Sequence, residues 1–233
     1  MFSLFAATGS SLPLSSRIMP VETDNAKLVV GHAKDSVTGF SNAFDAVRQH
    51  RNAGAGAPTD EEQDLARAAV VFAAAGLDSC IKHLIKDSIN TLADFDPKVK
   101  EQLNKFVRKL IDGESNDRIA SALLADSPRT DLIDSYIYEL TGSSLQSFEE
   151  LAKAAGALGI NVQPLVDNKT DLVRIFKMRN QIIHELDVNF DGGRRQRQRN
   201  SRVKNDLVTD SNLLMQVADG FIERVDHKLE SRG

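Results

Sequence analysis

Arg179, Asn180 and His184 are the residues of this chain whose types and spacing point most directly to chemistry. A guanidinium is always ionised and holds anions, and an imidazole titrates near neutrality and can give or take a proton. Their setting makes them a site candidate. Asp171 to Val188 reads as an amphipathic helix, with Leu172, Ile175, Phe176, Ile182, Ile183 and Leu186 as its apolar face. At about 100° per residue those six span an arc of roughly 120°, and Arg179 falls inside it. A charge on a buried stripe is costly unless something pairs with it, and sequences break such local rules mostly at functional sites. Asn180 and His184, one helical turn apart, leave from the flank of the same stripe.

A second misplaced charge lies upstream. Val71, Ala74, Asp78, Ile81 and Ile85 follow a three-four spacing, which sets Asp78 on the apolar stripe of its own helix. Two opposite charges on two helices that pack together suggest an Asp78–Arg179 pair. The bland alternative is that Asp78 caps or pairs with Lys82 while Arg179 extends its head to water. A third feature is the basic loop at 191–205, carrying Arg194, Arg195, Arg197, Arg199, Arg202 and Lys204 after Gly192-Gly193. With no apolar residue between Arg194 and Arg202, this run reads as a solvated loop outside the core. Its arginines, following the site helix closely, are expected to bind phosphates by bidentate hydrogen bonds.

The remainder of the composition mostly excludes. A chain of 233 residues, 41% hydrophobic, can bury one sizeable core. Cys80 is alone, so there is neither a disulfide framework nor a cysteine zinc site, and a reducing, cytoplasmic setting is expected. No metal and no cofactor is expected: the chain carries no His-Glu-x-x-His pattern, no calcium-type acidic loop and no glycine-rich phosphate loop. His32, His50, His83 and His227 have no chemical company and read as structural or solvent-facing. The longest apolar run, Ala68 to Leu77, falls well short of the roughly eighteen residues that span a bilayer, so no membrane partner is expected. A net charge of −4 leaves polyanion contact to a local patch. Residues 1–20 lack the basic start of a secretory signal and read as a disordered leader, with Met19 as an alternative start.

The elements that must position these residues are helical throughout. Asp24 to Arg51 places Val29, Val30, Ala33, Val37, Phe40, Phe44 and Val47 on one face. Thr59 with Glu62 forms a capping box opening a long helix to about Leu92, and Asp96-Pro97 opens the next, which stops at Gly113. Short helices are expected near Asn116–Ala125 and Arg129–Leu140, and another begins at the Ser147/Glu150 capping box and ends by Gly156 and Gly159. The site helix is capped by Thr170 or Asp167. The last, from about Asp206 to Glu230, aligns Leu207, Leu214, Ala218, Phe221, Val225 and Leu229. The expected architecture is one all-α domain over 21–231, with its core at about 59–231.

The string Phe176-Lys177-Met178-Arg179-Asn180-Gln181-Ile182-Ile183-His184-Glu185-Leu186-Asp187 resembles the motif of the HEPN superfamily (higher eukaryotes and prokaryotes nucleotide-binding): an arginine, four to six residues, then a histidine, often with a polar residue after the arginine. Ala75-Gly76-Leu77-Asp78 is similar to the acidic position on an earlier helix of many members. Leu145 to Glu150, leading to Leu158-Gly159-Ile160, is similar to the RiboL-PSP and MAE-type bacterial branches. The resemblance spans about Glu61 to Glu230. It implies a helical bundle that forms a homodimer with the motif helices at the interface. It also implies a metal-independent endoribonuclease of a bacterial defence or toxin–antitoxin system, cleaving RNA through attack of its own 2′-hydroxyl. Carried onto this chain, His184 is general acid or base, Arg179 stabilises charge on the scissile phosphate, Asn180 orients one of them and Asp78 supports Arg179. RNA and an antitoxin or other regulatory protein are the implied partners. Some toxins of the superfamily carry a modifiable tyrosine two residues after the histidine; here that residue is Leu186. The alternative is a non-catalytic dimerisation module that binds a protein or RNA partner, with Arg179 and Asp78 as a register-fixing pair.

Overall fold

The computed structural model describes residues 21–52, 56–113, 116–190 and 197–232. The expected leader and the arginines Arg194 and Arg195 lie outside them. Among the described residues the secondary structure is helical, with nine α-helices and one isolated antiparallel bridge between Val188 and Arg199.

The centre of the bundle is α2 (Asp60–Phe95), started by the Thr59/Glu62 capping box in full: the Thr59 hydroxyl accepts from Glu62 N–H, and the Glu62 carboxylate accepts from Thr59 N–H. The box is enlarged by two arginines, since Arg48 and Arg51 at the end of α1 (Asp24–His50) also bind the buried Glu62 carboxylate. Buried residues on every side of α2 pack against α1, α9 (Lys204–Glu230), α3 (Pro97–Asp112) and α5 (Pro128–Thr141). A helix so enclosed reads apolar all round. Its most apolar stretch reaches a mean hydropathy of 1.5, long enough by length and composition to cross a membrane, although no uninterrupted apolar run signals it.

The core begins earlier than residue 59, the start expected from the sequence. Ala26, Val30, Ala33, Val37 and Phe44 of α1 are buried against α2 and α9. Gly76 makes this possible: a Cβ there would collide with the Cβ of Ala33, so the two helices cross at a point that only glycine permits. On α9 all six residues aligned by the sequence pattern are buried. The short α4 (Asn116–Leu123) and α5 follow α3, and α5 leads through a turn to α6 (Phe148–Ala157), which the Ser147 hydroxyl caps by accepting from Glu150 N–H. A single turn, α7 (Gln163–Asp167), comes between α6 and the motif helix α8 (Lys169–Glu185). Asn168, which closes α7, is therefore the N-terminal flank of α8, in place of the expected Thr170 or Asp167.

Candidate active site

The motif helix is fixed to the bundle at both ends. Leu172, Ile175, Phe176, Met178 and Ile182 form its buried face. Near its start, Arg174 makes a two-pronged ion pair with the buried Asp210 of α9, at 2.8 and 2.5 Å, and a further contact to Asp171. Hydrogen bonding to Asp210 raises the Arg174 guanidinium above its ordinary value. Among the exposed residues of α8, Val173, Lys177, Asn180 and His184 stand in three-four register, and Ile183, expected on the apolar face, is also exposed.

Asn180 and His184 line the wall of a cleft of about 850 Å³. Across from them stand Gln146, Ser147, Phe148 and Glu149, at the entry to α6, and the cleft continues to Asn189, Phe190 and Asn200. Arg179 lies behind Asn180. Its Nη1 donates to the Asn180 Oδ1 at 3.0 Å, while its Nε is buried without a hydrogen-bond partner. No carboxylate of the described residues stands within 4.0 Å of it, so this half-buried guanidinium has no ion-pair partner among them. Burial pulls it below the usual guanidinium range, and the charge of Asp78 acts in the opposite direction. The other buried side-chain polar atom without a partner among the described residues is Gln146 Oε1, on the facing wall. Orphaned buried polar atoms are rare in folded proteins; Gln146 lines the cleft itself, and Arg179 reaches it through its partner Asn180.

The Asp78–Arg179 pair that the sequence suggested is absent. Asp78 accepts from the Leu145 N–H at 2.6 Å and pairs with Lys82 at 2.9 Å, the bland alternative together with a loop contact. That contact ties α2 to the segment entering α6, so Asp78 shapes the wall that faces His184 and does not hold Arg179 itself.

An opposite-charge pair between α2 and the end of the motif helix does exist, with the signs exchanged. Arg67, 2% exposed, donates from Nε to the Asp187 carboxylate at 2.9 Å, and Asp187 is 0% exposed. Arg202 binds the same carboxylate through Nε at 3.0 Å and Nη2 at 2.6 Å, and the Asn200 side chain adds a bond at 3.0 Å. Burial alone would raise Asp187, but the bonds from Arg202, Asn200 and Arg67 outweigh it and hold the carboxyl below the usual range. Reaching this position bends the chain. The helix stops at Glu185, three residues before the expected Val188, and Leu186 and Asp187 take positive φ values of 51° and 61°. Leu186, expected on the buried stripe, is 68% exposed as a result.

The basic run is divided by this cluster. Arg202 is partly buried on Asp187, and Arg199 pairs with Asp64 and donates to the Leu186 carbonyl at 3.0 Å, so both are engaged with the protein and not left to solvent. The reason is that the buried Asp187 draws Arg202 inward, while Asp64 on α2 holds Arg199. Arg197 sits over the Phe190 ring, 5.6 Å from its centroid. Sequence reading missed Arg67 and Asp187 as a pair. The signal was present: Arg67 lies on the same three-four stripe as Ala74, Asp78 and Ile81, and the rule that singled out Asp78 applies to it equally.

An all-helical bundle that carries an arginine–asparagine–histidine motif on the helix lining its cleft marks out a class of protein. The chain matches the RiboL-PSP-HEPN family over residues 40–224, most of its length, and it belongs to that family. The match begins inside α1, earlier than the resemblance read from the motifs. No curated protein and no solved structure is significantly similar to the chain.

Proposed function

We propose that this protein is a metal-independent endoribonuclease that acts as a homodimer in a defence or toxin–antitoxin type system. The observation that carries the reading is the Arg179 guanidinium, which has no carboxylate partner among the described residues and is joined to Asn180, itself one turn from an exposed His184 on the same cleft wall. In the reaction the RNA's 2′-hydroxyl attacks the adjacent phosphorus and the bond to the 5′-oxygen breaks. A base takes the 2′-hydroxyl proton and an acid supplies one to the leaving oxygen, giving a 2′,3′-cyclic phosphate and a 5′-hydroxyl. An imidazole serves either step, and His184 takes that role. Arg179 stabilises the charge building on the phosphate, where an ionised fork is most useful. Asn180 positions the guanidinium through its Oδ1.

The geometry of the motif helix supports a two-fold assembly. Arg179 and His184 are about 140° apart around α8, so one copy does not aim both at one phosphate. Pairing two motif helices across an isologous interface brings one copy's histidine toward the other's arginine. An antitoxin or other regulatory protein would act by covering the cleft or separating the copies.

The test is incubation of wild type and His184→Ala with RNA in EDTA. Cleavage by wild type alone, with both proteins folded, supports the reading. RNA left intact by both across pH and salt refutes it.

A further inference from the structure

Phe190 is a large apolar residue that the fold holds in the open. It is 52% exposed and lines the same cleft as His184 and Asn180. Its presentation is specified by backbone pairing. Asn189 N–H donates to the Gln198 carbonyl at 2.9 Å, Asn200 N–H donates to the Asp187 carbonyl at 2.8 Å, and Val188 bridges Arg199 in antiparallel fashion. Two residues outward on each side, Phe190 falls opposite Arg197, on the same face of this short ribbon. The guanidinium over the ring is that cross-strand pair. The ribbon's base is anchored by the buried Asp187 with Arg67, Arg202 and Asn200, so the aromatic–arginine pair stands on a fixed support. A half-exposed ring on the wall of this cleft, with a planar guanidinium over it, is the kind of surface on which a nucleobase stacks.

Resting on the nuclease reading of this cleft, we infer that Phe190 and Arg197 form a nucleobase subsite that selects an unpaired nucleotide next to the scissile phosphate. A base within a duplex presents no free face to the ring, so the subsite discriminates single-stranded RNA from paired RNA. Phe190 supplies a sequence-tolerant stacking face. Arg197 adds a second planar surface and a positive charge near the backbone.

The experiment measures binding without cleavage. In the His184→Ala background, a fluorescent single-stranded oligoribonucleotide and the same strand annealed to its complement are titrated against the full chain. Phe190→Ala is expected to weaken single-strand binding roughly tenfold, the effect of losing one base stacked on an aromatic ring, and to leave duplex binding unchanged. Phe190→Trp is expected to restore it. Thermal melting should be the same for all variants, because a half-exposed side chain at a ribbon tip adds little to stability. Equal single-strand affinity of Phe190→Ala and its parent, tighter binding of the duplex, or no binding of either probe overturns the subsite. His184-dependent cleavage with Phe190-independent binding removes the subsite and leaves the nuclease. Stacking without any cleavage does the reverse.

Discussion

At the scale of single residues, Arg179 and His184 carry opposite relations to stability and chemistry from those of Arg67 and Asp187. His184 is exposed and Arg179 has no carboxylate partner among the described residues, so neither is expected to contribute much to folding. His184→Ala should abolish RNA cleavage while shifting stability by about 0.5 kcal/mol or less, read by thermal melting beside the cleavage assay. Arg179→Ala should lower the cleavage rate by roughly 100- to 1,000-fold, the usual weight of a group that stabilises charge in the transition state. Its cost to stability should be small, since Asp78 already has the Leu145 N–H and Lys82. A loss of several kcal/mol would mean that Arg179 holds the bundle together. Cys80 offers an independent check of the core: burial pushes its thiol up to about 12, so a maleimide should leave it unlabelled until denaturant is added.

At the scale of elements, the turn that ends the motif helix depends on a buried carboxylate. Removing one partner of a buried ionic cluster leaves uncompensated charge, so Asp187→Ala should cost about 3–5 kcal/mol, measured by denaturant unfolding. The folded Asp187 carboxyl titrates below its unfolded value, as do Asp64, held by Arg199, and Asp96, held by Lys228 against its own burial. Their stabilisation is therefore complete above the ordinary carboxylate pKa of about 4 and is lost as pH falls through the folded values. Stability should drop steeply in that acid window, and Asp187→Asn should flatten the drop. Much of the element plan was legible in the sequence, because caps are local: Thr59 with Glu62, Asp96 before Pro97 and Ser147 with Glu150 each begin a helix where their spacing says. The end of α8 was not legible. Leu186 continues the apolar period, and only the long-range attraction of Arg67 and Arg202 for Asp187 turns the chain away from it. The same carboxylate drew Arg202, and Asp64 drew Arg199, out of a run that composition alone assigns to solvent. The three motif residues themselves were legible because an arginine on an apolar stripe violates a local rule.

At the scale of the whole molecule, one core joins all the long helices, and α1 is part of it through the Ala33–Gly76 crossing. Gly76→Ala should destabilise by about 1–3 kcal/mol through overpacking, seen as a lowered melting temperature without loss of helical signal. The rigid bundle then presents one face on which the motif, the cleft and the ribbon of Phe190 and Arg197 meet. The proposed nuclease activity requires the RNA's own 2′-hydroxyl as the nucleophile. The most direct measurement compares an RNA that wild type cuts in EDTA with the same strand carrying a single 2′-deoxy nucleotide before the scissile bond, and identifies the new ends. Attack by the 2′-hydroxyl should leave a 2′,3′-cyclic phosphate and a 5′-hydroxyl from the first strand, and no cleavage at that bond in the second. Cleavage of both strands, or products bearing a 5′-phosphate, would contradict it.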